Sequence, residues 1–142
     1  MSTNPDPAPT LIVDIESLRQ PGGGSPSRAP DLVDAEALRP AGGGAPFFEG
    51  AAHGGIPATF FVVEAPAGAG PRLHSHPYAE VFVVRDGAAR FGVGEDVFDV
   101  RAGQIVVAPA GVPHRFVNSG QETLRTVNIQ PVASMVVDWL ED

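Results

Sequence analysis

Residues 80–107, EVFVVRDGAARFGVGEDVFDVRAGQIVV, decide the fold class. Within them Glu80–Val84 is a run rich in β-branched and aromatic residues that ends at Asp86-Gly87, a dipeptide favoured in hairpins. Ala89–Val93 follows, then a turn at Gly94-Glu95-Asp96, then Val97–Val100, then Ile105–Val107, stopped by Pro109-Ala-Gly111. The pattern continues on both sides. Thr59–Val63 precedes it, closed by Pro66 and Gly68; His114–Val117 ends at Asn118-Ser-Gly120, and Leu124–Ile129 ends at Pro131. Seven short strands at roughly ten-residue spacing, with turn residues between them, predict an all-β sandwich or barrel. The tail Met135–Leu140 reads as a strand or a short terminal turn, and no earlier segment sustains a helical period.

Composition narrows the chemistry. The chain has 142 residues, 17 acidic against 9 basic, and a formal charge of −8. All the cations are arginine. The absence of cysteine excludes disulfides, thiolate nucleophiles and iron–sulfur clusters, and the absence of lysine excludes a Schiff base. Without a basic footprint, nucleic-acid binding is not expected. The start lacks a basic leader region, and the apolar run Leu11-Ile12-Val13 stops at Asp14. No segment reaches the roughly 18 apolar residues of a membrane helix, so no membrane contact and a soluble, cytoplasmic protein are expected.

Glycine and proline are concentrated at the front, with 18 in residues 1–57 against 14 in residues 58–142. Leu11–Pro26 reads LIVDIESLRQPGGGSP and Asp31–Pro46 reads DLVDAEALRPAGGGAP, a tandem repeat at an offset of 20 residues. Each copy has little apolar surface with which to offset the entropy of ordering, and its glycine triplet is a flexible spacer. Residues 1–46 are therefore expected to be a largely disordered tail, and residues 47–142 the folded domain. The duplication reads most simply as a replication slip. Two further readings are a pair of docking motifs, VD-x-E-x-LR, for a protein partner, and an edge strand added to a neighbouring subunit.

Of four histidines, three fall at informative places. His74 and His76 are separated by one residue and face the same way on an extended strand. Glu80 lies at an even offset and shares that face if the strand continues through Pro77-Tyr78. His114 follows Pro113 on a later strand that antiparallel packing can bring opposite. Three imidazoles and a carboxylate make a site for a divalent first-row transition metal, with two positions open on a six-coordinate ion. Any one of these residues is as readily a packed side chain; all four together are not. His53, in a glycine-rich loop, has no partner by spacing.

The two histidine stretches carry a resemblance. Gly68-AGPRL-His74-S-His76-PYA-Glu80-VFVVRD-Gly87 resembles the first cupin motif, and Gly103-QIVVA-Pro109-A-Gly111-VP-His114-RFV-Asn118 resembles the second. Fifteen residues separate them, as in small single-domain bacterial cupins of the quercetin-dioxygenase-like type. The resemblance covers about Phe47–Leu140. It implies a double-stranded β-helix, a small jelly-roll barrel, with metal ligands His74, His76, Glu80 and His114 in its mouth. It also implies a homodimer paired through a sheet face. Gly87 and Gly103 suit turns with positive φ, and Pro109 with Gly111 forms the corner that delivers His114.

Parity supplies the pocket neighbours. Phe82 and Val84 share the face of Glu80; Phe116 and Asn118 share that of His114. Either Phe60 and Val62 or Phe61 and Val63 complete an apolar wall, and Asn128 and Gln130 share a face of the last strand. Arg72 has the parity of His74 and would meet an acidic substrate, unless it sits at the rim in water. Tyr78 approaches the metal side only if Pro77 leaves the strand untwisted. Such a site suits a modest organic molecule held mainly by apolar contact. Oxygenase-type chemistry is the leading expectation, with iron first and manganese, nickel, copper, cobalt or zinc also compatible with the ligands. The alternatives are a metal-dependent isomerase, lyase or cyclase, or a non-catalytic small-molecule binder tethered by its repeated tail.

Overall fold

The computed structural model describes residues 29–141, and the elements below belong to the unit that begins at Asp31. Ten strands follow in chain order: β1 (Phe47–Glu49), β2 (Thr59–Ala65), β3 (His74–Ser75), β4 (Glu80–Asp86), β5 (Ala88–Val93), β6 (Asp96–Arg101), β7 (Ile105–Ala108), β8 (His114–Asn118), β9 (Leu124–Gln130) and β10 (Asp138–Trp139). They form two five-stranded antiparallel sheets, ordered β1-β2-β9-β4-β7 and β10-β3-β8-β5-β6. This is the double-stranded β-helix that the resemblance implies, within the all-β class read from the strands. The seven strands read from the sequence are all present, most of them a residue or two longer.

One turn behaves otherwise than its residues suggest. Asp86-Gly87 joins no hairpin: β4 pairs with β7 and β9, whereas β5 pairs with β6 and β8. Gly87 has a φ of +84°, and a Cβ there would lie 3.0 Å from the Thr123 carbonyl oxygen. Its freedom is spent on carrying the chain from one sheet to the other, not on reversing it within one. The hairpin lies at Gly94-Glu95, between β5 and β6.

Inward residues of one sheet form cross-strand rows. Asn128 on β9 lies between Phe61 on β2 and Phe82 on β4, and Phe82 faces Val106 on β7. Across the barrel, Phe91 on β5 pairs with Phe116 on β8, rings 5.2 Å apart, and Phe82 meets Phe91 edge-on at 5.1 Å. These rings, with Val84, Ala89, Val100 and Leu124, make the core. Burying them is the main stabilising term of a chain without disulfides.

The first copy of the repeat, Leu11–Pro26, lies outside the described residues. The second differs from the expected spacer. Ala35–Leu38 forms a 3₁₀ turn, the Arg39 guanidinium donates to the Glu36 carboxylate and to the Gly44 carbonyl, and Pro46 leads directly into β1. His53 explains part of this order, because its Nδ1 lies 3.0 Å from Asp31 Oδ2 while its ring stacks on Phe48. The residue that had no partner by spacing has one 22 positions away.

Candidate metal centre

Pro77 divides the first histidine stretch. β3 ends at Ser75, the chain bends through Pro77-Tyr78, and β4 begins at Glu80 in the other sheet. The single continuous strand that would have put Glu80 beside the histidines is therefore absent, since a proline has no N–H for the ladder. Glu80 instead faces them from across the barrel. His74 pairs directly with His114 on β8, which places the third imidazole beside the first. The turn before His114 is set by Gly111, whose φ is +75° and whose N–H donates to the His76 carbonyl at 2.7 Å.

All four residues are buried, at 2–7% exposure, and one ligating atom from each lies within 4.8 Å of the others. The Nδ1 atom of each imidazole rests against a backbone carbonyl: Arg72 at 2.7 Å, Val136 at 2.6 Å and Val112 at 2.9 Å for His74, His76 and His114. A carbonyl only accepts, so each Nδ1 carries the proton, and in the neutral ring each Nε2 carries a lone pair. Those three Nε2 atoms stand 4.0, 2.9 and 3.2 Å from Glu80 Oε2. The arrangement is four lone-pair donors aimed at one another.

Such a cluster is repulsive without a positive charge at its centre. Protons supply one only partly. Burial pushes Glu80 up, but the His114 hydrogen bond and the close His76 imidazole outweigh it and hold the carboxyl down at about 2. Burial lowers His74, whereas for His76 the Glu80 carboxylate and the Val136 carbonyl outweigh burial and raise it. Although it comes within 2.9 Å of Glu80, buried His76 Nε2 makes no hydrogen bond to any described residue. A close approach without hydrogen-bond geometry is what donors converging on an ion show. Nδ1–carbonyl contacts are the outer-shell partners that orient metal-bound imidazoles. The donor set therefore fits a divalent ion, and its mixed nitrogen and oxygen character does not choose among first-row metals.

Beside the cluster opens a cavity of about 530 Å³, within the range that holds small organic ligands. Phe61, Val63, Phe82 and Phe116 give it apolar walls, which settles the choice of face on β2, and Asn128 and Gln130 also line it. Two other candidates lie elsewhere. The Arg72 guanidinium sits over the Trp139 ring at 4.5 Å and donates to the Glu141 carbonyl, at the rim and outside the cavity lining. Tyr78 stacks on the His76 ring from behind, centroids 5.1 Å apart, and its hydroxyl donates to Gln130 Oε1 at 2.5 Å. Burial pushes its phenol up, so it stays protonated. Its place is that of a support for His76 and Gln130.

Sequence reasoning missed the residues at the mouth. Met135, Val137 and Trp139 of the C-terminal segment line the cavity, as do Arg39, Gly44 and Ala45 of the second repeat copy. The C-terminal segment is held by β10 pairing with β3, by the Glu141 carboxylate accepting from the Leu73 N–H at 2.7 Å, and by its ion pair with Arg115. A lone tryptophan beside an acidic terminus was the only signal, and it does not say where the segment docks.

Among solved structures, the chain is similar to a Klebsiella pneumoniae protein with a double-stranded β-helix domain, at TM-score 0.63 and 22% identity over 80% of this chain and 100% of that one. It is similar to a cupin-like protein of Thermotoga maritima, at TM-score 0.57 and 22% identity over 63% of this chain and 69% of that one. It is also similar to oxalate decarboxylase from Bacillus subtilis, at TM-score 0.62 and 20% identity over 68% of this chain. Only 27% of the decarboxylase is spanned, and identities this low speak for the fold alone. No curated protein matches the sequence. The cupin-domain sequence profile matches residues 60–130, which is half of the chain and includes β3, β4 and β8 with every member of the cluster. The chain belongs to the cupin family.

Proposed function

We propose that this cupin holds a divalent first-row metal through His74, His76, Glu80 and His114 and acts on a small organic molecule, with oxygenase-type chemistry at iron as the leading reading. One observation carries the metal: three Nε2 lone pairs and a carboxylate oxygen converge in a buried cluster whose Nδ1 protons are all committed to carbonyls. When bound, the ion supplies a Lewis acid or a redox centre for dioxygen. The protein's own contribution is positional. The carbonyls of Arg72, Val112 and Val136 fix the imidazole rings, and Phe61, Phe82, Phe116 and Trp139 exclude water from the space beside them. No lysine or cysteine exists to act as base or nucleophile.

Elemental analysis of protein purified from its own host, followed by an oxygen-uptake screen, tests this reading. Bound iron with substrate-dependent uptake is expected. A redox-inert metal and no uptake would move the assignment to a metal-dependent isomerase, lyase or cyclase, or to a small-molecule binder tethered by residues 11–46. A homodimer is part of the proposal. Its support is the exposed apolar surface of β6 and β7, where Val97, Ile105 and Val107 are each more than half exposed. Sedimentation at several concentrations reads it directly.

A further inference from the structure

On β9, next to the cluster, two primary amides line the cavity: Asn128 at 6% exposure and Gln130 at 1%. Buried amides ordinarily use both their oxygen and their nitrogen. Here the oxygens are taken. The Thr126 hydroxyl donates to Asn128 Oδ1 at 2.7 Å. The Tyr78 hydroxyl accepts from the Val136 N–H at 3.0 Å, and of the two acceptors its one proton faces, Gln130 Oε1 at 2.5 Å is nearer than the Val136 carbonyl at 3.0 Å, which His76 Nδ1 already engages. The nitrogens are not taken. Asn128 Nδ2 has no acceptor among the described residues, and Gln130 Nε2 has only the Met135 thioether at 3.7 Å, a weak acceptor. Two hydroxyls hold both amides by their oxygens, so that the groups this wall leaves without a strong partner among the described residues are N–H donors.

We infer that Asn128 and Gln130 are a ligand-orienting donor pair, and that the cavity takes an aromatic-bodied oxo acid whose oxygens are shared between this pair and the metal. The inference rests on the metal-centre reading and adds the substrate class to it. Three features select that class. The wall complements oxygen acceptors and leaves an amine donor unpaired. Glu80 is the one anionic ligand of the cluster, so a divalent ion leaves one positive charge for a monoanion to match. Phe61, Phe82, Phe116 and Trp139 offer ring faces and edges to a flat apolar body. Thr126 and Tyr78 are positioning residues, acting through the amides they hold.

The test is a titration of the ¹⁵N-labelled full chain, loaded with Zn²⁺, with phenylglyoxylate, followed by the side-chain NH₂ resonances. Asn128→Asp and Gln130→Glu, which are nearly isosteric, identify the two NH₂ pairs by their disappearance. Both pairs are expected to shift with saturation of the probe. Asn128→Leu and Gln130→Met are expected to weaken phenylglyoxylate roughly tenfold to a hundredfold, with Zn²⁺ affinity within twofold of the parent. Thr126→Val is expected to broaden the Asn128 pair, and Thr126→Ser to restore it. The inference is overturned if phenylglyoxylate fails to bind the Zn²⁺-loaded chain, if it binds with both NH₂ pairs unmoved, or if the substituted chains bind it as well as the parent. Failure of Zn²⁺ to bind would sink the metal reading separately. The amide pair is then read in the metal-free chain, where phenylglyoxylate must still move both NH₂ pairs and unmoved pairs overturn it.

Discussion

Two buried asparagines show how differently the ends of this barrel are built. Asn118, at the end of β8, uses everything it has: its Nδ2 donates to the carbonyls of Ala65 and Glu122, and its Oδ1 accepts from the Gly120 N–H. Asn128, in the middle of β9, has only its oxygen engaged. The same contrast runs along the strands. From Leu124 to Gln130 on β9, from Val84 to Glu80 on β4, and from Phe116 to His114 on β8, the inward side chains pass from apolar to polar. A buried polar group whose bonds are complete fixes a turn, whereas one left incomplete is held ready for something else. Stability is concentrated at the closed end and chemistry at the open one.

The largest effect expected from this division is at the closed end. Phe91 is fully buried, stacked on Phe116 and edge-on to Phe82. Phe91→Ala should lower stability by about 3–5 kcal/mol through lost burial and the cavity left behind. In thermal denaturation of the metal-free protein that is a fall of roughly 10–20 °C. A fall of only a few degrees would show that the core row is not what holds the sheets together.

The second effect is at the open end and should leave the fold nearly untouched. His114→Ala removes one of four converging donors. Metal affinity measured by titration calorimetry should fall by more than the roughly 10–100-fold that outer-shell partners are worth. The metal-free protein should lose little more than the hydrogen bond between His114 and the Glu80 carboxylate, about 1–3 kcal/mol. A large loss of metal-free stability would mean that His114 belongs to the core instead.

Much of this was legible in the sequence, and the reason is locality. Alternating burial along β4, β8 and β9, and turn residues at fixed intervals, are properties of short segments. So is the spacing His74, His76, Glu80. What stayed hidden was pairing. Asp86-Gly87 is as good a hairpin dipeptide as Gly94-Glu95, and only the distant partners β7 and β9 decide that the first crosses between sheets. Pro77 likewise puts Glu80 on the opposite wall without disturbing its parity. The order of residues 31–46 depends on a few contacts such as Asp31 with His53, and composition carries no trace of them.

A third, smaller effect is a pH dependence that separates the metal-free from the metal-loaded state. The folded His76 value is raised, so its proton stabilises the metal-free fold below the ordinary value of 6.5, and that contribution is lost as pH rises through the raised value. Glu80 is depressed to about 2, so its contribution is present above 4.5 and disappears as pH falls from 4.5 toward 2. A metal ion must displace the His76 proton. The rise in melting temperature on adding Zn²⁺ should therefore be greater at pH 8 than at pH 6. An equal rise at both would show that the imidazole is not a ligand.

The smallest effect tests the join between the two ends and the C-terminal segment. Tyr78 connects three things: its ring covers His76, its hydroxyl holds Gln130, and it exchanges hydrogen bonds with Val136, whose carbonyl accepts from His76 Nδ1. Tyr78→Phe keeps the ring and removes the bonds. Stability should fall by about 1 kcal/mol, the net worth of an ordinary hydrogen bond, because part of the hydroxyl's partners regain water at the mouth. Metal affinity should fall no more than about tenfold, since the Val136 carbonyl keeps its bond to His76 while losing its own anchor. The Gln130 amide, released from the hydroxyl, should show the clearest change, in the exchange rate of its side-chain NH₂ protons. An unchanged Gln130 signal would mean that Tyr78 serves as packing for His76 alone, and the donor wall would then owe its orientation to Thr126 and Met135.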